Sequence, residues 1–443
     1  MRMKMRSATR LASAIAIAIV ILSTLPALAA PKVCDVKKSG ALGDGKAKDT
    51  VAIQKAIDDC AASKNGGTVE VPAGTYLIAP ILLKTNITLH LAKDATLLGS
   101  PDHDDYPVIT EFREPGHQAL VSAVNATNVA ITGDGTIDGN GASWWHMMRG
   151  APPSAIPSSG VPGGQAARPR LVVWDHCKHV SLTGVTVKNS PFWGVVPYYS
   201  DDIVIRNVRI TATLPSPNTD AIDPFSSSNI VIDHVYSDVG DDNVAIKSGQ
   251  PNSPGPDDPS KNITITDCTF EHGHGVSIGS EVSGGVQNVH VERVTFKGTD
   301  QAIRIKANRD RGADVSNISF KDITMDGITK ASISISEYYP GVMPKGPVAA
   351  APVTRLTPHF HNIRIENVKG INAAWAGAIV GLPESPVTDI ILKNVNIEAK
   401  QGMQIGYADV TSDGFIVSTT DGSQPIIFGP EGKISEVKSE AKK

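Results

Sequence analysis

The stretch NIVIDHVYSDVG, residues 229–240, opens on a polar residue, alternates through an apolar run, turns at a polar corner and starts a second short run. Ile230 and Ile232 share one side of the first run, because successive side chains of a strand leave opposite faces. The same phrase returns along the chain. It reads NITLHLAKDATLLGS at 86–100, NVAITGDGTIDGNG at 128–141, HVSLTGVTVKNSP at 179–191 and DIVIRNVRITAT at 202–213. It continues as NITITDCTFEHG at 262–273, NVHVERVTFKGT at 288–299, NISFKDITMDGI at 317–328, NIRIENVKGINA at 362–373 and DIILKNVNIEAK at 389–400. The period is roughly 22 to 30 residues, stretched where Pro/Gly-rich inserts such as 248–261 and 338–355 intrude. Self-similar units of this length specify a solenoid. Each unit is strand, corner, strand, with β-branched residues and no helix between, which excludes leucine-rich and helical repeats. The expected fold is all-β: a single-stranded parallel β-helix of about ten coils, each adding a rung about 4.8 Å above the last. A β-propeller is the alternative, although its blades need about 40 residues.

Residues 1–29 stand apart from this pattern. A basic start (MRMKMR), an apolar run (LASAIAIAIVIL) and ALA at 27–29 have the order of a secretory signal peptide. The apolar run is shorter than the ~20 residues a bilayer span needs. The mature chain is then exported, with residues 30–443 as one domain and no membrane partner. Losing Arg2, Lys4, Arg6 and Arg10 takes the net charge from −4 to about −8. A mildly acidic chain argues against nucleic acid. Between Cys34 and Cys60, DTVAIQKAIDDC has apolar residues at helical spacing (Val51, Ile53, Ala56, Ile57), which predicts a short helix capping the first coil. In an oxidising compartment Cys34 and Cys60 are expected to form a disulfide over this cap. Cys177 and Cys268, far apart in β-type runs, read as buried free thiols. The aperiodic Gly/Pro stretch 147–169 reads as a loop beside the main groove.

Coiling makes residues one period apart into neighbours. Asp220 lies in SPNTDAIDP (216–224), Asp241 and Asp242 in GDDNVAIKSG (240–249), His274 in EHGHGVSIGSE (271–281), and Arg304 and Lys306 in AIRIKA (302–307). In a regular strand one of two adjacent aspartates would be driven into the core. Gly240 permits a sharp corner instead, and both carboxylates can face one groove. Ile305 points inward, so Arg304 and Lys306 point out together. Taken singly, NTD is an ordinary turn, GDD a solvated corner and RIK a solvated strand face. Four successive coils carrying them in one register is not ordinary. Two carboxyls flanking a glycosidic bond can hydrolyse it, one protonating the leaving oxygen while the others activate water. Crowded carboxylates raise the proton affinity of one of them, and an adjacent Arg/Lys pair suits a carboxylate on the substrate. The expected partner is an acidic sugar polymer.

NTDAID, GDDNVAIKSG, GHGVSIGSE and RIK, in this order and spacing, resemble the polygalacturonases, family 28 of the glycoside hydrolases. The likeness extends to IDGNGASWW (137–145) and to Arg168-Pro169 and NSPFW (189–193). It implies a right-handed parallel β-helix and inverting hydrolysis of α-1,4-galacturonosyl bonds in de-esterified pectin, with no metal; no cofactor is expected, and the chain is expected to act as a monomer. It implies Asp241 as general acid, Asp220 and Asp242 as the pair activating water, and His274 as the group that tunes the acid. Arg304 and Lys306 would hold the galacturonate carboxylate just beyond the cleaved bond, with Asn218 and Lys247 as further sugar contacts. The family places a tyrosine about 32 residues after the lysine. SISEYYP (334–340) offers Tyr338, favoured by strand parity, and Tyr339, which a turn could select. The family's NTDG is NTDA here, at Ala221. Trp144 and Trp145 either stack on sugar or pack beneath the loop. Alternatives on the same fold are an exo-acting galacturonosidase, a rhamnogalacturonan hydrolase, a Ca²⁺-dependent pectate lyase and a non-catalytic polysaccharide-binding adhesin.

Overall fold

A computed structural model describes residues 32–150, 168–344 and 346–437. The expected signal peptide at 1–29 and all but the two ends of the 147–169 loop lie outside the described residues. The opening phrase folds as read. Ser228–Asp233 is a strand, Tyr236–Val239 a second and Val244–Ser248 a third, before the chain returns one coil higher at Ser260–Thr266. Every face continues in parallel: Ile230 pairs with Ile263, Tyr236 with Thr269 and Val244 with Val276.

Register turns the repeated apolar positions into ladders. Ile203, Ile230, Ile263, Val289, Ile318, Ile363 and Ile390 stand directly above one another. All are buried, and each side chain removed from water contributes about 1.5–3 kcal/mol. The polar residue that opens the phrase also has a structural cause. Asn229, Asn262, Asn288, Asn317 and Asn362 all take positive φ, between 51° and 59°, a region asparagine tolerates better than most residues. Their amides form a ladder, Asn262 Nδ2 donating to Asn229 Oδ1 at 3.0 Å and Asn288 Nδ2 to Asn262 Oδ1 at 3.0 Å. Corner and core therefore repeat for separate reasons and lock the same register.

The first-face column takes in the ten phrases and runs beyond them. Lys32–Asp35 and Gly67–Val71 extend it below, and Ala408–Thr419 and Gly432–Glu436 above. At the lower end the predicted helix spans Thr50–Ala61. Ile53, Ala56, Ile57 and Cys60 are buried beneath it; Val51, read as part of that face, is exposed instead. This lid covers an edge that would otherwise invite pairing with another chain. Cys34 and Cys60 form a disulfide with Cα atoms 6.0 Å apart, while Cys177 and Cys268 are buried and free. No helix among the described residues is long and apolar enough to cross a membrane.

A short helix, Ala142–Gly150, was not expected. It turns Trp144 and Trp145 into the core. Trp144 stacks on His103 at 3.6 Å, and the Trp145 indole N–H donates to Ser190 O. Of the two readings of this pair, packing is the one observed.

Candidate active site

The third face builds the site. Isolated bridges place Ile222 level with Val244, which pairs with Val276, then Ile303, then Ile333. Two residues before these inward anchors the chain is still rounding a corner, and there stand Asp220, Asp242 and His274. One residue after them, Ala245, Ser277 and Arg304 are in register. The small Ala245 and Ser277 leave space into which Arg304 and the Asp242 carboxylate reach.

Asp242 is held on all sides. Its Oδ1 accepts from Ser277 Oγ at 2.6 Å and Arg304 at 3.2 Å, and its Oδ2 accepts from Lys306 Nζ at 2.8 Å. Burial opposes ionisation, but Lys306 and Arg304 outweigh it and hold the carboxyl well below the usual range. Lys306, buried between cations and carboxylates, has a lowered proton affinity.

Asp241 points the other way and is the most open of the three, its side chain 22% exposed against 4% for Asp220 and 2% for Asp242. Its Oδ1 lies 3.1 Å from His274 Nδ1, and its Oδ2 is 3.4 Å from Asn218 Nδ2. Burial raises this carboxyl, and the hydrogen bond from His274 brings it below the usual range. His274 is bracketed, with Nε2 3.2 Å from Asp300 Oδ2. Burial disfavours the imidazolium, but Asp241 and Asp300 win and push its pKa up to about 9.

Asp220 behaves oppositely. Burial, then the nearby Asp241 and Asp223, push its carboxyl well above the usual range. Asp223 is fully buried and pushed up to about 8. Between them sits Lys247, Nζ 3.9 Å from each and 3.4 Å from Glu281, over the Trp193 ring at 4.8 Å.

The structure thus brings Asp220, Asp241, Asp242, Lys247, Lys306 and Asn218 to one cleft, with His274 and Arg304 touching its carboxylates. Tyr339 lines this cleft and Tyr338 does not. Parity favoured Tyr338, but the strand ends at Ser336, so alternation no longer applies. Lys306 Nζ lies 5.7 Å from the Tyr339 ring centre. The role of Gly240 is also corrected. Its φ is not positive; a Cβ there would stand 2.1 Å from Ser216 O. The glycine serves close approach between coils, not an unusual dihedral. Ala221, where the resemblance has glycine, is buried and donates its N–H to Asp242 O at 2.9 Å.

Sequence reading missed Asp223, Glu281, Asp300 and Trp193. Asp223 and Glu281 lay inside quoted motifs and were discoverable by parity from Ile222 and Ile278. Arg168 was seen only as part of the resemblance. It is buried, its proton affinity lowered to about 10 by that burial, and it donates to Asn218 Oδ1, Pro191 O and Pro217 O. It thereby fixes Asn218, which has φ 56°, against Asp241.

One oxygen each of Asp241 and Asp242 and a nitrogen of His274 lie within 4.8 Å of one another, a spacing that could admit a metal ion. Asp242 is already neutralised by two cations, and Ca²⁺ needs 6–8 oxygen ligands. This donor set fits acid–base chemistry on an anionic substrate better than a cation site.

Comparison with known proteins agrees with this chemistry. A family model, Glycosyl hydrolases family 28, matches residues 60–413. The chain is 32% identical over 379 residues to a probable polygalacturonase of Vitis vinifera, covering 81% of this chain and 72% of that protein. It is 31% identical to an endo-polygalacturonase of Pectobacterium carotovorum subsp. carotovorum, covering 70% and 76%. Its fold superimposes on a hyperthermoactive exopolygalacturonase from Thermotoga maritima with a TM-score of 0.73 at 28% identity, over 87% of this chain and 92% of that one. The chain is a glycoside hydrolase and belongs to glycosyl hydrolases family 28, the polygalacturonase family.

Proposed function

We propose that this chain is an exported polygalacturonase that hydrolyses α-1,4-galacturonosyl bonds of de-esterified pectin by single displacement with inversion. The observation that carries this reading is the division of labour among three carboxyls in one cleft. Asp242 is pinned and ionised by Arg304 and Lys306. Asp241 is partly open and shares a proton with His274. Asp220 has its proton affinity raised by burial and by the nearby Asp241 and Asp223. A glycosidic oxygen reaching Asp241 takes the shared proton, and His274 resupplies it. A water on the opposite face is oriented by Asp220 and gives its proton to Asp242. The departing unit leaves with its oxygen protonated, and the attacked carbon keeps the water oxygen. Arg304 and Lys306 also supply the positive field for the substrate carboxylate beyond the cleaved bond, against the Tyr339 ring. Export is supported by the basic–apolar–small order of residues 1–29 and by the Cys34–Cys60 disulfide.

The test is digestion of polygalacturonate with and without chelator. New reducing ends without ultraviolet-absorbing unsaturated products, undiminished by chelator, are expected. Loss of activity with chelator together with unsaturated ends would make it a lyase. Binding without any release would make it an adhesin. Viscosity followed against reducing ends separates internal from terminal cutting.

A further inference from the structure

Tyr339 lines both the catalytic cleft and a second cavity of about 320 Å³, a size that can hold a small ligand. Asn308, Arg309, Glu337, Tyr338 and Leu382 line it. It lies one step past Lys306 along the same strand end, and Asn308 Nδ2 donates to Tyr339 O at 3.0 Å.

Its electrostatics differ from those of the cleft. Both Arg304 and Lys306 face the substrate side with one carboxylate, Asp242, between them. Arg309 is instead clamped by both oxygens of Glu384, with Nη2 to Oε2 at 2.9 Å, and donates to Ala349 O. The Asp310 carboxylate is matched by Arg311, which also lies 3.6 Å from Glu281. Glu337 is 1% exposed; its Oε2 accepts from the Leu382 N–H at 2.8 Å, the Phe360 backbone N–H also interacts with the carboxyl, and its Oε1 makes no well-aligned hydrogen bond among the described residues. Burial pushes this carboxyl well above the usual range, which favours its protonated, O–H-donating form. The buried Tyr338 hydroxyl is likewise without a partner among the described residues. A carboxylate entering this cavity meets matched cations and nearby anions. A neutral ester meets two donors, with Leu382 and the Tyr339 ring for its methyl group.

We propose that this cavity receives an uncharged, methyl-esterified galacturonosyl unit, one place beyond the charged unit bound by Arg304 and Lys306, with Glu337 and Tyr338 donating to it. This rests on the polygalacturonase reading and refines its substrate. The enzyme then favours bonds where a free acid is followed by an ester, in blocks of mixed esterification.

The test uses two oligogalacturonates of equal length, one fully acidic, the other methyl-esterified only on the second unit past the scissile bond. Mass spectrometry of the products confirms where each is cut, and kcat/KM is compared. The wild-type enzyme is expected to favour the ester by about threefold or more, the scale of one screened like-charge contact. Glu384→Gln releases Arg309 from its clamp and should reverse the preference, whereas Glu337→Gln, which supplies an uncharged amide donor at the same place, should keep it. A wild-type preference for the free acid overturns the proposal without any variant, as does an unchanged ratio in a folded Glu384→Gln protein. Failure to cut either oligomer sinks the polygalacturonase reading itself, a distinct result.

Discussion

Replacing Asp300 with asparagine tests the proton-sharing pair at one remove from the chemistry. Asp300 Oδ2 lies 3.2 Å from His274 Nε2 and also accepts from Lys330 Nζ, while Oδ1 accepts from Thr329 Oγ1. Its side chain is 28% exposed, and Lys330 already offsets part of its charge. Its hold on the imidazolium is therefore nearer the water-screened limit, roughly 1–1.5 kcal/mol at this separation, than the interior value. About 1.4 kcal/mol corresponds to one pH unit. His274, pushed up to about 9 in the native chain, should fall to about 8 in Asp300→Asn. Because Asp241 draws its proton from this ring, the alkaline limb of kcat/KM on polygalacturonate should move down by the same unit. The sign for stability follows. A histidine whose proton affinity rises on folding contributes stability fully present below its unfolded pKa of about 6.5, lost as pH rises through about 9. The unfolded value is common to both proteins, so the pH-dependent cost of Asp300→Asn should be full below about pH 8 and vanish above about 9. The assay is a pH profile with melting temperatures, together with a ring-nitrogen NMR titration assigned by loss of signal in His274→Gln. An alkaline limb that stays in place while the ring titration moves refutes His274 as the proton reservoir. A ring titration that does not move refutes the bracketed geometry.

Asp241→Asn and Asp242→Asn should each reduce kcat by roughly a thousandfold or more but differ in stability. Asp242→Asn strands Lys306 and Arg304 and should cost about 3 kcal/mol in urea denaturation, whereas Asp241→Asn should cost much less, since His274 keeps Asp300. Tyr339→Ala should raise KM for polygalacturonate about tenfold or more while Tyr338→Ala leaves cleavage of fully acidic substrate near wild type; equal effects would mean the cleft wall is misplaced. Opening the 26-residue loop by Cys60→Ser should lower stability by about 3.5 kcal/mol, read as a denaturation midpoint that reductant no longer shifts.

Much of this was legible because a β-helix writes its geometry in a period. The inward ladder from Ile203 to Ile390 is the alternation of the phrase seen end-on, and the stacking of Asp220, Asp242 and His274 follows from the same register. Legibility stopped where periodicity stopped. Tyr339 was ambiguous because strand parity ends at Ser336, and only three-dimensional turn geometry chooses between adjacent rings. Val51 fits a helical stripe, yet the lid rotates it outward to seat Ile53 and Ile57. Asp300 was invisible because its role is to a histidine one coil away, and a lone aspartate in KGTDQA resembles any corner. Glu337 lay one residue from the tyrosines under discussion. Only its burial distinguishes it from a solvated acid.

The site also explains why so many opposite charges are buried together. Lys247 among Asp220, Asp223 and Glu281, and Asp242 between Lys306 and Arg304, lose most of their hydration. Such networks seldom stabilise a fold relative to apolar residues of the same volume. The isoleucine ladders beneath them carry stability, and the rungs are indifferent to what stands on the outer side. What the burial supplies is separation of proton affinities. Asp220 and Asp223 are driven up by burial, which Lys247 between them only partly offsets. Asp242, though buried, is hydrogen-bonded by both Arg304 and Lys306 and is driven down. Asp241, left at the mouth, exchanges with His274. Three identical side chains acquire three protonation behaviours because the coil sets a different charged neighbour against the burial of each: carboxylates for Asp220, His274 for Asp241, Lys306 and Arg304 for Asp242. An apolar replacement of Lys247 would therefore disturb the reaction through Asp220 and Asp223, whether or not the lysine ever touches a sugar.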